Sequence, residues 1–100
     1  MSSPLPLGAT AHAEREPSPI SVCFSLQARA EPGVMPRVVE LFAKRGLVPQ
    51  KWHSAVSGET LMIDVQMGGL GRDLSGYIAR CMRQITGVET VLTSETRASR

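Results

Sequence analysis

Few side chains in this 100-residue chain are of types that could do chemistry, and they are scattered. General acid or base work needs a histidine within hydrogen-bond reach of a carboxylate or a nucleophile. His12 lies in a proline-rich stretch, and His53 alternates onto a strand face turned away from the apolar positions, so neither is expected to serve. Cys23 and Cys81 lack the CxxC spacing of a ligand pair, and no metal site follows from them. The run "GGLG", residues 68 to 71, resembles a phosphate cradle only until the missing Lys-Ser/Thr is noticed, and it reads as a connector. Trp52 could stack a ligand, but its face carries Ile63 and points to the core, where a large ring is an anchor. Arg37 follows Gly33 by four positions, as an arginine closing an acyl-phosphate corner would, but on a helix it reads as a solvated residue. No catalytic residue, metal or cofactor is therefore expected.

The most constrained stretch is "AEPGVMPRVVELFAKRG", residues 30 to 46. Pro36 has no N–H, so it belongs in the first helical turn, where the early amides lack partners in any case. The helix then begins near Gly33. Pro32 biases Glu31 toward an extended backbone, and Gly33 is expected to allow a backbone conformation and a close approach that a Cβ would hinder. Such a corner presents the amides of Gly33, Val34 and Met35 at the positive end of a helix, able to receive a carboxylate. Glu31 or water could equally satisfy them.

The elements that must position this corner follow from periodicity. Ile20, Val22, Phe24, Leu26 and Ala28 alternate with Ser21, Cys23, Ser25 and Gln27, which predicts a strand with one apolar face. Val34, Val38, Leu41 and Phe42 fall on one helical face opposite Arg37, Glu40 and Lys44, and Gly46 stops that helix. Val48–Val56 and Thr60–Met67 flank Ser57-Gly58, a hairpin signal whose outward count pairs Ser54 with Leu61, Trp52 with Ile63 and Lys51 with Asp64. A second helix carries Leu74, Tyr77, Ile78, Cys81 and Ile85 inward, with Arg80 and Arg83 outward, and Gly87 ends it. Val88–Ser94 is a last strand. The order βαββαβ predicts a ferredoxin-like α+β fold, a four-stranded antiparallel sheet with two helices on one face. In it Cys23 points away from the helices and Cys81 toward the sheet, so no disulfide is expected.

An apolar content of 42% and a net charge of +2 suit one domain. Residues 1–19 hold four of the seven prolines and no apolar period, and are expected to be a flexible tail without the features of a secretory signal. Residues 20–95 form the expected domain and 96–100 a flexible C-terminal tail. No run approaches the roughly 18 apolar residues of a membrane span. A cytoplasmic protein with reduced cysteines is the expectation. With 11 basic against 9 acidic residues and no aromatic pair on a strand, nucleic acid is not an expected partner.

The corner, its preceding strand and the later "GVETVLTSE" resemble the ACT domain family, whose first corner reads acid-x-Pro-Gly-apolar followed by "RV..LF..RG". The chain is similar in particular to the small regulatory subunits of acetolactate synthase, including the short kind made of one such domain. The resemblance covers roughly residues 20 to 95. It implies a non-enzymatic module that binds a small amino acid and controls a partner, here a large catalytic subunit in branched-chain amino-acid biosynthesis. It also implies a homodimer through the edge of the second strand, Leu47–Val56, and the first helix. Pro49 suits such an edge because it cannot donate to a ladder.

Carried over from the family, Gly33 matches the corner glycine and Glu31, Pro32 and Val34 its flanks, with effector held between this corner and the neighbouring module. Ala30 and Val48 stand where valine-sensing subunits have asparagine. Each polar group left unsatisfied costs about 1 to 3 kcal/mol, so weak effector binding is expected. A stand-alone amino-acid sensor is the alternative, and a small enzyme of the same fold a third reading that would need a convergent acid, base or nucleophile. The uncovered sheet face, with Ser21, Cys23, Ser25, Gln27, Lys51, His53, Met62, Asp64 and Gln66, is expected to be solvated or to meet the larger chain.

Overall fold

A computed structural model describes residues 20–97. The chain forms β1 (Ile20–Arg29), α1 (Val34–Ala43), β2 (Lys51–Ser57), β3 (Thr60–Gly68), α2 (Arg72–Arg83) and β4 (Val88–Arg97). The strands make one antiparallel sheet in the order β2-β3-β1-β4, and both helices cover one face of it, the expected ferredoxin-like arrangement. The expected tail at 1–19 and its counterpart at 98–100 lie outside the described residues, whereas residues 96 and 97 continue β4.

β1 sits between β3 and β4 and exposes only its two faces to choice. Its alternation puts Val22, Phe24, Leu26 and Ala28 under the helices, all buried. Val34, Val38, Leu41 and Phe42 of α1 meet them, with the Phe24 and Phe42 rings edge to face at 5.9 Å. α1 closes on hydrogen bonds from the Gly46 amide to the Ala43 carbonyl and from Leu47 to Phe42, a Schellman ending. Among the described residues no helix is long and apolar enough to cross a membrane.

Three expectations about the strands need correction. The hairpin turn is Gly58-Glu59, not Ser57-Gly58, so Ser54 faces Ile63, Trp52 faces Val65, Lys51 faces Gln66 and His53 faces Asp64. Gly58 has φ 62°, and as the first central residue of the turn it supplies the positive φ that tight hairpins need. The slip is of two residues, so every side chain keeps its face. β2 begins at Lys51, beyond Pro49, and β4 runs past Ser94 to Arg97.

The buried line of α2 is Ser75, Ile78, Ala79 and Met82, while Tyr77 is 44% exposed and Leu74, Cys81 and Ile85 pack only at the margin. Small residues at 75 and 79 let the helix approach the sheet, and the Ser75 hydroxyl can be buried because it donates to the Arg72 carbonyl at 3.1 Å. Cys23 and Cys81 are free thiols.

Truncation at the centre of this core should be severe. Phe24→Ala is expected to destabilise the fold by about 3 to 5 kcal/mol. Leu92→Ala, at a residue 69% exposed on the open sheet face, should stay within about 0.5 kcal/mol in the same urea titrations.

Candidate functional site

Arg29, the last residue of β1, donates its amide to the Gly87 carbonyl at 2.8 Å, and the Ala30 amide donates to the Glu59 carbonyl at 3.0 Å. The corner is thereby tied to the turn before β4 and to the β2–β3 hairpin, three turns that meet at one end of the sheet. The Glu31 carbonyl accepts from the Val34 amide at 3.2 Å. That occupies one of the three amides expected at the helix start and leaves those of Gly33 and Met35 without a backbone partner among the described residues.

Gly33 caps α1 with φ −81° and ψ −9°, an ordinary right-handed conformation, so the expected need for glycine there is not conformational. A Cβ at Gly33 would meet the Arg37 guanidinium, whose Nη1 donates to the Gly33 carbonyl at 2.9 Å. Arg37 thus folds back on the corner as an exposed cap. Gly87 is the stricter position. Its φ is 99°, and a Cβ there would lie 3.1 Å from Val34 Cγ2 and 3.2 Å from Glu31 Oε1.

Two hollows flank Glu31. One, of about 280 Å³, is mostly apolar and is lined by Ala30, Glu31, Pro32, Met35, Val56 and Leu61. The other, of about 270 Å³, is more polar and is lined by Arg29, Ala30, Glu31, Gly58 and Glu59. Arg29 Nε and Glu31 Oε2 pair across the second at 3.3 Å, both side chains well exposed. Each is near the lower end of the roughly 300 to 1,000 Å³ that small-molecule sites occupy.

The structure therefore brings Ala30, Glu31, Pro32 and Met35 together around one hollow. Gly33 lies behind them under Arg37. The Val34 side chain is buried in the core, so only its backbone faces the corner. Val48 is 82% exposed and lines neither hollow. Val56 and Leu61, from the hairpin, were not among the expected residues. Leu61 alternates inward on β3 and is buried in the core, with its margin forming the hollow's wall.

Elsewhere among the described residues the chemistry-bearing side chains do not form a working catalytic order. On the open sheet face Ser25 Oγ donates to Asp64 Oδ1 at 2.8 Å, and His53 stands opposite Asp64 on β2. The carboxylate is in the middle, whereas nucleophile activation needs the imidazole there to take the hydroxyl proton. No group of metal-ligating residues forms among the described residues.

A family model described as ACT-like domain matches residues 15–99. The chain belongs to the ACT-like domain family. Solved structures agree with that fold. The crystal structure of the ACT domain of GTP pyrophosphokinase from Chlorobium tepidum superposes with a TM-score of 0.66 at 11% identity, over 74% of this chain and 96% of that one. An uncharacterized protein of Thermotoga maritima has a TM-score of 0.61 at 14% identity, over 81% and 99%. The C-terminal domain of the MgtC protein from Mycobacterium tuberculosis has a TM-score of 0.62 at 13% identity, over 79% and 87%. At these identities the likeness is one of fold. A search of curated proteins finds no match.

The two glycines of this ACT-like corner should respond oppositely to a methyl group. Gly87→Ala forces a left-handed alanine against Val34 and Glu31 and is expected to cost about 1 to 3 kcal/mol. Gly33→Ala displaces only the flexible end of Arg37 and should cost no more than about 1 kcal/mol. Thermal and urea denaturation of the two variants measures the contrast.

Proposed function

We propose that this ACT-like domain is a regulatory module without chemistry of its own, which holds a small amino acid beside the first corner and acts on a separate catalytic chain. The observation that carries this reading is the hollow formed by Ala30, Glu31, Pro32, Met35, Val56 and Leu61. It offers apolar walls, an adjacent Arg29–Glu31 pair and the Met35 amide, which has no backbone partner among the described residues, but no acid, base and nucleophile in working order.

Met35 also lines a groove of about 470 Å³ on the outer side of α1, with Pro36, Val39, Glu40 and Ala43. Met35 is thus common to the hollow and the groove, and β2, which supplies Val56 to the hollow, is an edge strand. Exposed Val39, Val48 and Val56 lie on the same elements or the connection between them. In this reading a second copy of the chain covers α1 and pairs with the β2 edge, closing the hollow and bringing Val48 into the interface. Sedimentation at about ten micromolar should show a dimer, and Val39→Glu should give a folded monomer. Monomer alone from the unmodified chain would exclude the dimer.

The first candidate for the catalytic chain is the large subunit of acetolactate synthase, a choice that rests on the corner sequence "AEPGVMPRVVELFAKRGL". Co-expression should raise the acetolactate-forming activity of the large subunit and yield a complex that co-purifies. A charge at Cys23 or Ser25 on the open sheet face should weaken that complex and leave the fold intact. Calorimetry with valine, leucine and isoleucine should give little heat, because Ala30 and Val48 offer no side-chain hydrogen bonds, and Ala30→Asn with Val48→Asn should strengthen it. A large subunit fully active alone, and never bound to this chain, would leave a stand-alone amino-acid sensor in its place.

A further inference from the structure

The composition is close to charge balance, yet the fold sorts the charges. The helices and the turn after α1 carry Arg37, Lys44, Arg45, Arg72, Arg80 and Arg83 against Glu40 and Asp73. Among the described residues only Arg72 of these cations meets a carboxylate, Glu95 at 3.7 Å. Others are held by neutral groups. Arg45 Nη1 donates to the Leu41 carbonyl at 2.8 Å, and Arg83 Nη2 donates to the Val91 carbonyl at 3.0 Å. The guanidinium carbons of Arg45 and Arg80 lie 5.0 Å and 5.8 Å from the centre of the Tyr77 ring.

Tyr77 therefore gathers two cations from different elements onto one exposed ring. Their mutual repulsion opposes folding and the ring's negative face offsets part of it. Each guanidinium has five N–H donors in a planar fork, and anchoring one of them leaves the rest oriented at little further entropy cost. That is a prepared receptor for planar anions, and no carboxylate among the described residues fills it.

We propose that the surface around Arg45, Tyr77 and Arg80 is a docking site for an acidic segment of a partner protein. Carboxylates match the guanidinium fork two atoms to two, which makes glutamate- or aspartate-rich segments the fitting chemistry. Nucleic acid fits less well. Single-strand binding draws on aromatic rings open to bases, and here Phe24 and Phe42 are buried, Trp52 packs on the core and the exposed Tyr77 ring already has the Arg45 and Arg80 guanidinium groups against it. The site lies on the helical layer, apart from the corner, so it stands whether or not the corner binds an amino acid.

The test uses the full chain and a fluorescein-labelled deca-glutamate peptide, read by fluorescence anisotropy at low and at moderate salt. Binding that weakens with salt is expected, and Arg80→Glu should reduce affinity by about fivefold or more. Lys51→Glu, the same charge change on exposed β2, should alter it by less than about twofold. Circular dichroism checks each fold, and Arg80→Gln serves should the reversal fail to fold. No binding at low salt would overturn the proposal, as would equal losses in the two charge reversals, which would mark general charge attraction. Tighter binding of a labelled ten-nucleotide thymidine strand than of the peptide would also overturn it, in favour of nucleic acid.

Discussion

Everything in this fold depends on β1 being paired along both edges while only one of its faces is apolar. With β3 and β4 taking its backbone groups, β1 has no freedom left except which face to bury, and Val22, Phe24, Leu26 and Ala28 decide that. Once the apolar face is down, both helices must lie on the same side to cover it, and α1 is located by the edge-to-face contact of Phe42 with Phe24. The corner inherits its position. It leaves the C-terminal end of a strand whose neighbours both turn there, so Arg29 and Ala30 find their acceptors in the turns at Gly87 and Glu59. The candidate site is placed by the central strand's hydrogen bonds before any of its own side chains act.

That dependence explains what was legible in the residues. Strict alternation over Ile20–Ala28 and the Val34, Val38, Leu41, Phe42 spacing each admit one reading, and the element order then admits few topologies. The hairpin register was not legible, because two registers slipped by two residues bury the same side chains and differ only in which residue takes the positive φ. The face of α2 was misjudged because Ser75 counts as polar until its hydroxyl is seen donating to the Arg72 carbonyl. At the corner the hollow's Ala30, Glu31, Pro32 and Met35 were legible as a group, but its hairpin side was not, since nothing local in Val56 or Leu61 says that the turn at Glu59 holds Ala30. Gly33 and Gly87 carry the same letter and opposite meanings, one an ordinary right-handed cap and the other pressed against Val34 and Glu31.

Charge shows the same limit of composition. A net +2 from 11 cations and 9 anions reads as neutral ground, and only the fold shows Arg37, Lys44, Arg45, Arg72, Arg80 and Arg83 against Glu40 and Asp73 on the helices and the turn after α1, while the strands and their other turns carry Arg29, Lys51 and Arg97 against Glu31, Glu59, Asp64, Glu89 and Glu95. Potential depends on where charges stand, so a chain near overall balance can still present a locally basic surface. The helical layer holds Arg45, Arg80 and Arg83 with carbonyls and a phenol ring, groups that fix geometry without cancelling charge.

The corner differs, since its Arg29 is already matched by a carboxylate. Arg29 pairs with Glu31, Arg37 caps the Gly33 carbonyl and the Glu31 carbonyl takes the Val34 amide. An entering ligand with charged ends would have to displace or share these partners. For the exposed Arg29–Glu31 pair that exchange is nearly neutral, since such pairs contribute at most about 1 kcal/mol. Binding must then draw mainly on the apolar walls, at about 25 cal/mol per Å² removed from water. A lone module covers those walls from one side only, because Met35 carries the same surface out onto α1 and Val56 sits on the edge strand. In the proposed reading, affinity at this corner would therefore be coupled to whatever covers α1 and the β2 edge, so that association and ligand binding would be linked.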